Sequence, residues 1–395
     1  MNPAVAIIIE RADIALGGAE RSVFEVAAAL RSRGLEVDVL AAKGQSQTPN
    51  VRILCADERG KRTGFHTFAA ALREHLKQQR YDLVHSVLPV DFADVYQPRG
   101  GTYAEAMVRN ADSYPTALLR TVKRMTGSLN ARRTALLRAE RRLCRAAQGP
   151  MLAALSHYVA EQFKRHYDAA DERIVVIPNG VRLSKRLDAE RVDTLRAQIF
   201  ARLGITEADR PLFMSFVANN FRLKGLTPLI AALARSRSQG RPVFLIVAGA
   251  GKSGRYRLLA RRLNVHERIV FLGPVRHVQN VLTISEVAVL PTFYDPSSRF
   301  ILEALAAGRP VITTRYNGAA DLFVDKVHGR VVDSPDNIEA LAEAITHFSD
   351  ESNIRAASQA IVADDLRKKV CVDRVAGQLI ELYERILAHR GERRY

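Results

Sequence analysis

VFLIVAGAGKSG, residues 243–254, sets an unbroken apolar run against three glycines. Such a run, ending abruptly at a glycine turn, is what a strand buried on both faces looks like, and the stretch behind it suits a helix. Strand, tight turn and helix make the repeating unit of a parallel α/β sheet. Two nucleotide-binding motifs overlap this stretch and neither is complete. A P-loop needs its first glycine where Ile246 stands, although Gly251-Lys252-Ser253 matches its second half. A dinucleotide fingerprint needs an acid at the end of the next strand to hold a ribose, and that strand, IVFLG, runs into Pro274. The plain reading is a strand-to-helix turn.

Runs of the same kind recur in both directions, interleaved with helical stretches. In the first half they are VAIIIE (5–10), LEVDVLAA (35–42), VRILC (51–55), YDLVHSV (81–87), MLAALS (151–156) and RIVVIPN (173–179). In the second half they are LFMSFVA (212–218), VFLIVAG (243–249), IVFLG (269–273), VAVLP (287–291), PVITTRY (310–316) and GRVVD (329–333). The chain is therefore α/β, and each half reads as a doubly wound parallel sheet with its ligands outside the carboxyl ends of the strands. At 395 residues it has room for two domains, with a cleft between them as the expected site. The polar stretch VRLSKRLDAERVDTLRAQ after Pro178-Asn179-Gly180 reads as the connecting region.

No apolar run approaches the ~20 residues of a membrane-spanning helix, and MNPAVAIIIERAD lacks the basic start of a signal peptide, so a cytoplasmic protein is expected. Cys55, Cys144 and Cys371 are too few and too scattered for a disulfide framework or a zinc ribbon. The net charge of +17 points to an anionic partner. Its distribution is uneven: Tyr103 to Ala147 holds ten basic residues against three acidic ones. No nucleic-acid module appears there and aromatic residues are not interleaved with the arginines, which speaks against a nucleic-acid partner. Within 114–145, leucine and methionine alternate with arginine, the pattern of a helix lying on an anionic membrane surface. A helix packed on the first sheet with a solvated basic face has the same pattern.

Five stretches carry a resemblance: LGGAERSVFEVAAALRSRGLEVDVL, FVANNFRLKGLTPLIAAL, VAGAGK, FLGPV and YDPSSRFILEALAAGRPVITTRYNGAADL. In order and spacing they resemble the retaining glycosyltransferases of family 4, from Gly17 to about Asp333. The resemblance implies the GT-B architecture, two Rossmann-like domains facing each other across a cleft. It implies an acceptor-binding domain over 1–180, a nucleotide-sugar-binding domain over 181–365 and a C-terminal helix, 366–395, packing back on the first. The nucleotide is then that of a sugar donor, and Gly249 lines its cleft.

The leaving diphosphate develops negative charge that the site must stabilise. The resemblance assigns Arg222 and Lys224 to that charge, although both also fit a solvated loop. Asp295 and Glu303 match the family's E-x7-E pair with aspartate for the first acid. Asp295 is implied to lie near the transferred sugar and Glu303 to hold the ribose. Free amides near Ser298 and Arg299, at a helix start, suit phosphate oxygens. Asp295 before Pro296 also fits an N-cap with proline at N1. Gly17 and Gly18 are implied to let backbone approach the donor, and they also suit a bare turn. Base and sugar are implied to be read around FLGPVRHV, with Val275, and at Asn317 to Ala319.

No D-x-D metal motif occurs, so no metal and no cofactor is expected. The departing phosphate itself is implied to deprotonate the acceptor; His85 and Asp94 are the acceptor-side candidates, with a structural role open for the histidine. DVYQPRGGTYAEA resembles the lipopolysaccharide core glucosyltransferases, which implies UDP-glucose, a glycolipid acceptor and peripheral attachment at the inner face of the cytoplasmic membrane. Where that branch has an aspartate soon after DVY, this chain has Gly100.

Overall fold

The structure, a computed structural model, describes residues 3–13, 17–44, 49–55, 63–127, 130–183, 188–238 and 240–392, with residues 391 and 392 described by backbone alone. Leu16 at the head of the glycine motif, 184–187 in the connecting stretch, 128–129 in the basic segment and 393–395 lie outside the described residues.

Thirteen strands form among the described residues. In the first half they are β1 (Ala4–Ala12), β2 (Glu36–Gly44), β3 (Val51–Ile53), β4 (Leu83–Ser86), β5 (Val95–Tyr96), β6 (Met151–Ala154) and β7 (Ile174–Val176). The second half adds β8 (Leu212–Val217), β9 (Val243–Ala248), β10 (Ile269–Gly273), β11 (Val287–Leu290), β12 (Val311–Thr314) and β13 (Gly329–Val332). Twelve of them fall on the apolar runs read from sequence. β5 is the addition, and its two residues are too short to carry a pattern.

One sheet runs β3-β2-β1-β4-β5-β6-β7 and the other β10-β9-β8-β11-β12-β13. Every pairing is parallel, for example Ile7 opposite His85 and Met214 opposite Leu245. Strand order reverses between β1 and β4, and again between β8 and β11, so each sheet is doubly wound with its switch point there. The inner strands are the most apolar, as expected where helices cover both faces: β9 is buried at all six positions.

The chain forms two compact units. The first comprises Met1–Ala111, Leu118–Arg182 and Val372–Tyr395; the second comprises Asp112–Ala117 and Leu183–Cys371. The helix Val372–Glu392 thus belongs to the first unit, where Val372, Val375, Leu379, Leu382 and Tyr383 enter the same core as Val5, Ile7, Val26 and Leu30. In the second unit Ile199, Phe213, Ile246, Val270 and Val281 centre a separate core.

The basic segment is not one helix. Pro115 follows Tyr103–Asp112, then Ala117–Thr126 and Ala131–Arg145 form separately. The last of these packs inward through Leu136, Glu140, Leu143 and Cys144, as a sheet-covering helix does. The Arg173 guanidinium closes its carboxyl end, donating to the carbonyls of Leu143 at 3.0 Å and Cys144 at 2.9 Å. Ala117–Thr126 buries no residue: Leu118 and Met125 are each 74% exposed, with Leu119 and Val122 beside them.

Candidate functional site

In the second unit the residues of interest follow the carboxyl ends of β8, β9, β11 and β12. The loop after β8 turns at Gly225, whose φ of +82° is left-handed and starts the helix Leu226–Arg235. That turn presents Lys224. Its ammonium donates to Asp295 Oδ2 at 2.6 Å and to the Tyr294 carbonyl at 2.9 Å. Only 20% of the Lys224 side chain and 14% of the Asp295 side chain is exposed, so the pair lies in reduced dielectric. The two loops are fixed to each other by the Phe293 amide donating to the Leu223 carbonyl at 2.9 Å.

Asp295 is not an N-cap. The helix is Arg299–Ala306, and its cap is Ser298. Asp295 Oδ1 accepts from the Ser297 amide at 3.3 Å while Oδ2 takes Lys224, so one carboxylate orders the approach to the helix and holds the cation. The Ser298 amide, expected to be open to a phosphate, donates to Asn317 Oδ1 at 3.2 Å. Fully buried Asn317 also accepts from the Ala319 amide at 3.1 Å and donates to Thr313 Oγ1 at 2.9 Å. One turn on, Glu303 is buried beside Arg299, whose guanidinium reaches its Oε1 at 3.4 Å.

Arg222, in the same loop as Lys224, stands over the Tyr114 ring at 3.9 Å and donates to the Ser113 hydroxyl. Burial lowers its pKa, and the nearby Arg255 charge pushes the same way. Sequence reading did not single out Arg255, Tyr114 or Ser113.

The glycines of the opening motif have internal reasons. Gly249 has φ +132°, and an ideal Cβ there would collide with the Ala218 carbonyl. A Cβ on Gly251 would sit 2.6 Å from the Phe221 ring. The exposed Lys252 and the half-buried Val275, which packs against the second unit's core, complete the edge.

In the first unit Gly17 precedes the helix Gly18–Ser32 with an extended backbone, and a Cβ there would meet only Glu20 Oε2 at 3.4 Å. Packing among the described residues therefore does not demand glycine at 17. Gly100 is similar: a Cβ there meets nothing within 4 Å.

His85 does not present a base to solvent. It is 1% exposed, and its Nδ1 meets the Tyr383 hydroxyl at 2.6 Å. Burial, reinforced by the Arg99 charge, drives its pKa down to about 3, so the ring is neutral and ties the C-terminal helix to β4. Asp94 lies at the opposite edge from the one expected. It precedes β5, accepts from the Val84 amide at 2.8 Å beside the start of β4, and pairs with Arg390. A cluster that sequence reading missed occupies the carboxyl edge instead. Asn179 Oδ1 accepts from Ser22 Oγ at 2.6 Å and from the Gly180 amide at 3.0 Å, and Arg374 donates to the Asn179 carbonyl at 3.1 Å.

Among the described residues no three His, Cys, Asp or Glu side chains gather as metal ligands would. No helix among them is long and apolar enough to cross a membrane.

Two family models match: Glycosyltransferase Family 4 over residues 16–185 and Glycosyl transferases group 1 over residues 200–361. The lipopolysaccharide glucosyltransferase WaaG of Escherichia coli is 24% identical over 348 residues, covering 86% of this chain and 88% of its own. The crystal structure of WaaG superimposes with a TM-score of 0.73 at 22% identity, over 96% of this chain and 99% of that one. A D-inositol 3-phosphate glycosyltransferase of Xylanimonas cellulosilytica is 26% identical over 414 residues, covering 95% of this chain and 94% of its own. The sucrose-phosphate synthase of Thermosynechococcus elongatus shares the fold with a TM-score of 0.74 at 19% identity, over 98% of this chain and 100% of that one.

Proposed function

The chain belongs to the family 4 glycosyltransferases, with two parallel-sheet domains of the GT-B kind, and from that premise we propose that it moves glucose from UDP-glucose to a membrane-associated glycan of lipopolysaccharide-core type, with retention and without a metal. The second unit holds the donor and the first the acceptor. The observation that carries this reading is the Lys224–Asp295 pair at the carboxyl edge of the second sheet, followed by the helix Arg299–Ala306 that carries buried Glu303.

Lys224 is a cation fixed by Asp295 and the Tyr294 carbonyl, and Arg222 adds a second positive charge. Fixed charges stabilise a leaving diphosphate without reorganising at the moment of reaction. As the anomeric C–O bond to phosphate breaks, the acceptor oxygen bonds to the same face of that carbon, and its proton passes to the departing phosphate oxygen. With His85 neutral and enclosed and Asp94 at the far edge of its sheet, a substrate-assisted route needs neither as base. Glycine at 17, unexplained by internal packing, suits close approach of the donor, and Glu303 suits the ribose hydroxyls. Glu303→Gln is expected to weaken UDP binding by ~1–3 kcal/mol through loss of charge-assisted hydrogen bonds. Calorimetry that finds equal affinity reduces Glu303 to a helix residue.

The WaaG relative and the exposed helix Ala117–Thr126 support the acceptor class, and the reading includes peripheral attachment at the inner face of the cytoplasmic membrane. Leu118, Val122 and Met125 line one side of this helix, Leu119 flanks them, and Arg120, Lys123 and Arg124 lie toward the other. Each cation near anionic lipid adds ~1 kcal/mol of attraction. Arg132, by contrast, is paired with Glu10 at 2.6 Å in the inward-packed helix and is not part of this surface. Cosedimentation with vesicles should rise with anionic lipid, fall with salt, and drop in both the L118Q/M125Q and the R120Q/K123Q/R124Q variants. Equal partition onto neutral and anionic vesicles leaves a solvated helix.

The D-inositol 3-phosphate glycosyltransferase relative, matched over nearly the whole chain, favours a second reading with a soluble phosphorylated acceptor. A hydrolysis panel of UDP-, GDP- and ADP-sugars tests the donor. Transfer assays with delipidated core oligosaccharide and with inositol phosphate separate the acceptors. A GDP-sugar preference rejects UDP-glucose.

A further inference from the structure

Arg222 is gripped by a segment from more than a hundred residues earlier in the chain. Asp112–Ala117 clusters with the second unit, although the sequence on either side of it belongs to the first. From this segment the Tyr114 ring centroid lies 3.9 Å from the Arg222 guanidinium carbon, and the buried Ser113 hydroxyl accepts from Nη1. At that distance the planar cation stacks on the ring and is attracted by its negative face. Stacking uses the flat face of the guanidinium. Its N–H groups lie in the plane, where they meet polar acceptors, and Ser113 takes one of them. Arg222 is otherwise carried on a long, rotamer-rich side chain, whose freedom must be lost before it can hold an anion in a fixed place. Tyr114 and Ser113 impose that loss in advance.

Resting on the reading of Arg222 as a ligand of the donor diphosphate, we propose that Tyr114 and Ser113 are positioning residues for donor binding, acting through the Arg222 guanidinium. The geometry makes the aromatic face, rather than the tyrosine hydroxyl, the working part of Tyr114. It also links donor binding to the segment immediately preceding the exposed amphipathic helix Ala117–Thr126.

The test compares wild type with R222A, Y114L, Y114F, S113A and Y114L/R222A. Each is titrated with UDP and, so that the result does not depend on the base, with inorganic pyrophosphate. Donor and acceptor KM and the melting temperature are measured alongside. Y114L should weaken both probes by about 3- to 30-fold, the span of a cation–π contact from exposed to desolvated sites. Donor KM should rise with acceptor KM unchanged, S113A should move the same way, and Y114F should stay within roughly twofold of wild type. The double variant should be no worse than R222A alone, because both changes act on one group. The inference is overturned if R222A is defective while Y114L binds normally, if the two effects add, or if Y114L alters both KM values together with the melting temperature. Normal binding by R222A itself removes the diphosphate reading, and the inference with it.

Discussion

Lys224→Ala is expected to lower kcat by ~10²- to 10³-fold, the loss seen when one preorganised charge-stabilising group is removed from an active site. The ammonium is held within 2.6 Å of Asp295 and 2.9 Å of the Tyr294 carbonyl, so its position is set by the fold. Removing it also leaves Asp295 without its cation in a mostly buried setting, which costs stability. Turnover must therefore be compared at a temperature where circular dichroism shows both proteins folded. Lys224→Arg should recover only part of the rate, because a planar fork cannot reproduce a point charge at that position. Near-normal turnover in folded Lys224→Ala would sink the catalytic assignment.

The second large effect concerns backbone. Gly249→Ala places a methyl group against the Ala218 carbonyl and forces a φ of +132° on an L-residue. Strain of that kind costs ~1–3 kcal/mol and overpacking a similar amount, so a loss of about 2–6 kcal/mol is expected in the second unit. Gly254, at the other end of the same motif, starts a helix and has nothing within 4 Å of an added Cβ. Gly254→Ala should stay within ~0.5 kcal/mol of wild type. Urea unfolding followed by a probe in the second unit reads both. Equal midpoints for the two variants would show that the turn tolerates a side chain.

This contrast shows what was legible in the sequence. Strands buried on both faces leave continuous apolar runs, and the inner strands such as β9 and β11 were readable for that reason; the edge strands followed from their β-branched residues, and only β5 was missed. That omission carried a cost. With no strand read at Val95–Tyr96, nothing in the sequence moved Asp94 away from the acceptor side. With β5 present, the chain has already returned to the amino edge when it reaches Asp94, which there supports the Val84 amide. The Lys224 and Asp295 positions were marked by motif, but their 2.6 Å contact spans 71 residues and no local pattern encodes it. The same holds for Asn317, whose side chain takes the Ser298 amide 19 residues away. The basic segment divided: a helix that packs inward begins at its own cap, Asn130, and is distinct from the one after Pro115 that keeps its leucines and methionine outside.

The order in which the polypeptide is synthesised meets a constraint in the first unit. Val375, Leu379, Leu382 and Tyr383 fill the same core as Val5, Ile7 and Leu30, and Tyr383 holds the buried His85 ring. Residues 183–371 are translated between Arg182 and that helix, and at ~5–20 residues per second this takes about 10–40 s. During that interval the nascent first sheet has an apolar face without its final covering helix, while the second unit acquires nearly all of its own residues. The earlier-made half is then the later to close, and for those seconds its uncovered apolar face is surface of the aggregation-prone kind that chaperones exist to shield.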